Sequence, residues 1–113
     1  MKIFSAKVIT GEGRGRTIGF PTANLDKTDL GIDFGVYAVR AHINEREFAA
    51  LLHFGPQKTF AGKISTELHL KDFIGDIYGQ EVRVEIIAKI REIRKFESVY
   101  DLQKQIQIDL KSI

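Results

Sequence analysis

Gly35-Val36-Tyr37-Ala38-Val39-Arg40-Ala41-His42-Ile43-Asn44-Glu45-Arg46-Glu47-Phe48-Ala49-Ala50-Leu51-Leu52-His53-Phe54 reads as two strands and the turn between them. Tyr37, Val39, Ala41 and Ile43 share one face of the first strand, and Phe48, Ala50, Leu52 and Phe54 share one face of the second. Asn44-Glu45 supplies the turn, so the segment predicts a β-hairpin. Moving toward the C-terminus, Ile64, Thr66, Leu68 and Leu70 alternate with Ser65, Glu67 and His69, which places Glu67 and His69 opposite the more apolar face of a third strand. The most regular strand is Glu81 to Arg91, where Val82, Val84, Ile86, Ala88 and Ile90 point one way. Toward the N-terminus, Lys2 to Thr10 reads as a strand ended by glycine. Gly11 to Asp33 comes next with five of the ten glycines and no period, which reads as a long functional loop.

The period changes only at the end. Val99, Leu102, Ile106, Leu110 and Ile113 recur at steps of three and four behind Ser98, with Asp101 three residues after it, and predict one capped amphipathic helix. Five or six antiparallel strands with a terminal helix place the chain in the all-β class as a small closed barrel, because an open sheet of this size leaves edges to protect. The absence of βαβ alternation argues against a doubly wound nucleotide fold.

At 113 residues the chain has room for one core, so residues 1–113 are expected to form a single domain. Hydrophobic residues at 43% and charged residues at 28% describe an ordinary folded globule and exclude disorder. No segment approaches the roughly 18 consecutive apolar residues of a membrane helix, and the first residues lack the apolar core of a signal peptide, so a cytoplasmic location is expected. With no Cys, a disulfide scaffold, a thiolate zinc site and a cysteine nucleophile are all excluded. Seventeen basic against fifteen acidic residues leave a charge of +2, too small for a nucleic-acid coat but compatible with a local anion site.

The densest chemical signal is Thr10-Gly11-Glu12-Gly13-Arg14-Gly15-Arg16-Thr17-Ile18-Gly19-Phe20-Pro21-Thr22-Ala23-Asn24. Alternate glycines let successive backbone N–H groups converge on an anion, and Arg14 and Arg16 add full charges, an outline suited to phosphate. Arg16 stands where the dinucleotide fingerprint needs its third glycine, and no glycine pair is spaced for a Gly-Lys-Ser/Thr loop. Read alone, the glycines also fit a plain turn. Pro21 stiffens the residues around it, so Thr22 and Asn24 sit two apart on one side of an extended segment. Their hydroxyl and amide oxygens suit Mg²⁺, which fills its remaining positions with water and phosphate oxygens, while a Thr/Asn turn cap is the competing reading.

These motifs, taken in order with Gly35-Val36-Tyr37, Glu67-Leu68-His69-Leu70-Lys71-Asp72-Phe73, Asp76-Ile77-Tyr78-Gly79 and Arg91 to Phe96, resemble riboflavin kinase of the bacterial and eukaryotic type over nearly the whole chain. The resemblance implies a six-stranded antiparallel Greek-key barrel with a C-terminal helix. It also implies ATP-dependent phosphorylation of the riboflavin ribityl 5′-hydroxyl to give FMN and ADP. It assigns Thr22 and Asn24 to the nucleotide magnesium and Glu67 to the catalytic base. Nucleotide contacts are expected at Gly11, Arg16, Leu70, Asp72 and Tyr78, with Gly13, Arg14 and Gly15 completing the glycine loop, and flavin contacts at Arg91, Arg94 and Phe96. General chemistry agrees, since phosphoryl transfer asks for alignment, charge neutralisation and a carboxylate to take the hydroxyl proton.

The three histidines lack a ligand spacing; His69 alone shares a face with Glu67 and could orient it or touch ATP. The chain departs from the family at His53-Phe54-Gly55-Pro56-Gln57-Lys58-Thr59-Phe60, where an Asn is replaced and a Pro displaced. That change motivates one alternative, a flavin-binding barrel without catalysis. A second is a small basic barrel for single-stranded nucleic acid, which has no need of Pro21-Thr22-Ala23-Asn24 with Glu67. The expected partners are riboflavin or FMN and ATP or ADP, without nucleic acid or membrane. A monomer is expected, and fusion to an FMN adenylyltransferase domain is open.

Overall fold

The computed structural model describes residues 2–9, 22–56, 63–73, 75 and 77–113. Within them strands β1 (Ile3–Ile9), β2 (Ala23–Leu25), β3 (Gly35–Ile43), β4 (Arg46–Pro56), β5 (Ile64–Leu70) and β6 (Glu81–Arg91) precede helix α1 (Val99–Lys111). All pairings are antiparallel, and the order β1-β2-β5-β4-β3-β6 closes on itself as a barrel. β3 pairs with β4 and β4 with β5, and β6 returns to lie beside β3, which is a Greek key. The expected class and strand number are therefore found.

The β3–β4 turn forms where expected. Asn44 and Glu45 take φ of 47° and 66°, the left-handed pair that a type I′ hairpin needs, and Asn44 Nδ2 donates to Gln80 Oε1 at 2.6 Å. Inside the barrel the alternating apolar residues meet, among them Phe4, Val39, Leu52, Leu68, Val82 and Val84. Leu30 joins them from the segment after β2, which is pinned by Thr66 Oγ1 donating to the Lys27 carbonyl at 2.6 Å and by Lys7 N donating to Asp26 Oδ1 at 2.8 Å. Tyr37 donates to the Asp33 carbonyl at 2.7 Å, and burial pushes its phenol above the usual tyrosine range.

Two expectations change. The stretch read as loop from Gly11 to Asp33 contains β2, whose three residues are too few to show a period; it exists because it pairs with β1 on one side and β5 on the other. The even alternation of β6 also fails beyond Val84, because its register against β3 slips between Val36 and Tyr37 and again between Ala38 and Val39. Ala88 is exposed as a result. Among the described residues no helix is long and apolar enough to cross a membrane.

Candidate active site

The strand registers place one row of residues across the outer wall of the barrel. Asn24 stands opposite Glu67, Glu67 opposite His53, His53 opposite Val36, and Val36 opposite Arg91. Strands in a closed barrel are tilted and staggered, so such a row crosses from one rim toward the other. Asn24 lies near the rim shared by the ends of β1 and β5 and the start of β6; Arg91 ends β6 at the rim where β3 begins.

A second apolar layer covers this wall. Val36, Leu51 and Ile106 are buried but stand apart from the barrel core. Helix α1 supplies the cover: Ser98, in extended backbone, accepts from the Asp101 N–H at 3.1 Å and starts the helix, which turns Leu102, Ile106 and Asp109 inward. Between wall and helix lies a cavity of about 570 Å³. Thr22, Glu67 and His69 line it on one side, Phe34, Val36 and Leu51 form the floor, and Ile93, Phe96, Leu102 and Ile106 form much of the opposite wall. A concave, mainly apolar space with a few converging polar groups is the usual form of a small-molecule site.

The polar groups are organised in two sets. In the first, Ser65 donates its hydroxyl to Glu67 Oε2 at 3.2 Å and so orients the carboxylate, and Thr22 Oγ1 stands 3.4 Å from His69 Nδ1. His69 is only 8% exposed, since the covered outer wall is a second interior. In the second, Arg91 Nε and Nη2 both reach Asp109 Oδ2, at 3.0 and 2.9 Å, and Arg94 Nη1 donates to Gln105 Oε1 at 2.8 Å. Phe96 lies under both guanidinium groups, 5.8 Å from Arg91 and 5.3 Å from Arg94. Nearby, a 2.6 Å hydrogen bond to Glu92 raises the Lys89 ammonium above its ordinary value against an opposing effect of burial.

Glu67, Arg91, Arg94, Phe96 and Thr22 thus come together around one cavity, with Asn24 beside Glu67 in the ladder. Leu70 sits in the barrel core at the end of β5, and Asp72 lies just beyond it in the left-handed region at φ 56°. Tyr78 is 61% exposed in a turn held to the end of β1 by Gly79 N donating to the Val8 carbonyl at 2.9 Å. Asp72 and Tyr78 therefore share the rim nearest Thr22 and do not line the cavity. Gly11, Gly13, Arg14, Gly15 and Arg16 lie outside the described residues. Among the described residues no group of three or more His, Asp or Glu side chains is arranged to hold a metal ion. The cation donors in view are the neutral oxygens of Thr22 and Asn24, which fit a Mg²⁺ ion that takes the rest of its shell from phosphate and water.

Sequence reasoning misses Ser65, Gln105 and Asp109 as site residues. The signal for Asp109 is an acidic residue three positions after Ile106, inside the apolar stripe of the helix.

A family model described as flavokinase, riboflavin kinase, matches residues 2–113. The chain is 37% identical over 115 residues to the RNA-binding riboflavin kinase RibR of Bacillus subtilis (strain 168), spanning 100% of this chain and 50% of that protein. It is 40% identical over 108 residues to the bifunctional riboflavin kinase/FMN adenylyltransferase of the same organism, spanning 90% of this chain and 34% of the relative. The chain therefore spans half or less of these relatives. Among solved structures, a protein named macrolide-efflux protein from Streptococcus pneumoniae superposes with a TM-score of 0.85 at 37% identity, over 96% of this chain and 37% of the other. Riboflavin kinase from Trypanosoma brucei superposes with a TM-score of 0.64 at 20% identity, over 99% of this chain and 78% of the other, a likeness of fold. By the match over residues 2–113, the chain belongs to the riboflavin kinase family.

Proposed function

We propose that residues 1–113 act as one kinase domain that transfers the γ-phosphoryl group of ATP to the ribityl 5′-hydroxyl of riboflavin, giving FMN and ADP. The observation that carries this reading is the row that sets Asn24 beside Glu67 and leads across the cavity floor to Arg91. The apolar floor and helix wall accept a planar ring system, and the polar chain of the substrate extends toward Glu67. Glu67, oriented by Ser65, takes the proton of the 5′-hydroxyl as its oxygen forms a bond to the γ-phosphorus and the bond to the ADP oxygen breaks. Thr22 and Asn24 hold the metal of the nucleotide, and His69 fixes the Thr22 hydroxyl. Mg²⁺, when bound, neutralises the phosphate charge that opposes attack. Asp72 and Tyr78 hold the nucleotide at the neighbouring rim, and the glycine run from Gly11 to Arg16 supplies further contacts to it. The domain works as a cytoplasmic monomer, alone or joined to an adenylyltransferase.

Incubation of the purified protein with riboflavin and MgATP, beside a reaction lacking ATP, tests the reading by chromatography. FMN in the complete reaction alone is expected. Riboflavin binding without FMN would mean a flavin-binding barrel without catalysis, and binding of neither substrate would overturn the assignment.

A further inference from the structure

Asp109 is 3% exposed on a helix whose other inward residues are apolar, and both its oxygens are occupied. Oδ2 takes Arg91 Nε and Nη2, and Oδ1 takes Gln105 Nε2 at 2.9 Å. Gln105 uses its own oxygen to hold Arg94. The result is one continuous chain, Arg91 to Asp109 to Gln105 to Arg94, whose two ends are the guanidinium groups lying over Phe96. Arg91 Nη1 is also engaged, donating to the Glu92 carbonyl at 3.1 Å. A buried pair of this kind is a poor source of stability, because its desolvation cost offsets its attraction, so its geometry is the more informative property.

We propose that Asp109 is a positioning residue for the flavin ring. Through Arg91 and Gln105 it fixes Phe96 as a wall of the cavity, and the seating of α1 thereby sets riboflavin affinity without touching the nucleotide side. The inference rests on the cavity being the riboflavin site. It assigns Arg91 a role in holding the wall, with Nε, Nη1 and Nη2 each engaged by Asp109 or Glu92.

Steady-state FMN formation in Asp109→Asn decides the matter, with KM measured separately for riboflavin and MgATP and a melting curve alongside. The amide keeps the volume but leaves the Arg91 cation without its counter-charge. Riboflavin KM is expected to rise about tenfold, equivalent to about 1.4 kcal/mol, while the MgATP KM stays within about twofold. A second variant separates positioning from folding. Arg91→Met with Asp109→Leu replaces the ion pair by apolar side chains, a change that typically leaves stability equal or better. Its melting temperature should return to wild type while riboflavin KM stays raised. A riboflavin KM that returns together with the melting temperature, or that rises in step with the MgATP KM, would reduce Asp109 to a fold contact. Failure of the wild-type protein to bind riboflavin would overturn the cavity assignment itself, and with it this inference.

Discussion

Leu51 and Leu52 are neighbours on β4, 2% and 0% exposed, and their side chains belong to different interiors. Leu52 lies in the barrel core opposite Leu68, whereas Leu51 pairs with His69 on the outer wall and lines the cavity. Burial alone would rank the two alike. Leu52→Ala leaves a void enclosed on all sides, which costs about 3 kcal/mol. For a domain of this size that lowers the melting temperature by roughly 10–15 °C. Leu51 already borders empty space, so fewer packing partners are lost, and the cost falls to about 1–1.5 kcal/mol or roughly 5 °C. The ordering reverses for ligand binding. Removing the Leu51 methyl groups takes away part of the floor of the proposed flavin site, worth about 1.4 kcal/mol and hence about tenfold in riboflavin affinity. Leu52→Ala should bind riboflavin normally at a temperature where it is folded. Calorimetric melting curves and quenching of riboflavin fluorescence measure both quantities on the same samples. Equal melting shifts together with unaltered riboflavin affinity in Leu51→Ala would refute the two-interior reading and place the flavin elsewhere.

Glu67→Gln should keep riboflavin and MgATP binding but lower turnover by roughly 10²–10⁴-fold, as loss of a positioned base does; turnover within a fewfold of wild type would remove Glu67 from the mechanism. Thr22→Val and Asn24→Leu each delete an oxygen donor at nearly constant volume. They should raise the MgATP KM far more than the riboflavin KM, with partial rescue at high Mg²⁺, and equal losses without metal dependence would point to a folding defect. Gly55→Ala would bring a Cβ to 2.1 Å from Ile93 Cδ1, the movable end of a side chain that lines the cavity. The expected result is a raised riboflavin KM, with a lowered melting temperature because φ of 159° at Gly55 strains a residue that carries a Cβ. An unchanged KM would show that Ile93 does not confine the ligand.

Why the barrel is readable from the chain and its site only partly so comes down to the faces of the strands. A period of two reports which residues share a side, and Tyr37, Val39, Leu52, Leu68, Val82 and Val84 all meet inside the barrel in agreement with that period. It says nothing about what lies over the opposite side. The alternation of β5 puts Glu67 and His69 opposite the apolar face, but whether their face meets water or a helix is a tertiary fact. A bulge is equally silent, because the residues of β6 beyond Val84 keep their alternation in the sequence while the backbone shifts them. β2 owes its existence to two partners distant along the chain.

The sequence nevertheless holds one signal for the covered wall. Val36 and Leu51 break the alternation of β3 and β4 by placing apolar residues in the phase meant for solvent, and His69 faces Leu51 across the ladder. An apolar residue out of phase in two adjacent strands argues for a second packing layer, since a solvated wall gains nothing from it. The chain offers one amphipathic helix to form that layer, and its inward stripe of Leu102 and Ile106 is too short of apolar surface to close fully on a wall that carries Glu67 and His69. Polar groups under an apolar cover are costly unless they are paired or meet a ligand. Glu67 is paired with Ser65 and Arg91 with Asp109, and the space between these pairs is the cavity. The incomplete closure of α1 over a mixed wall is therefore what leaves the cavity open for the proposed chemistry.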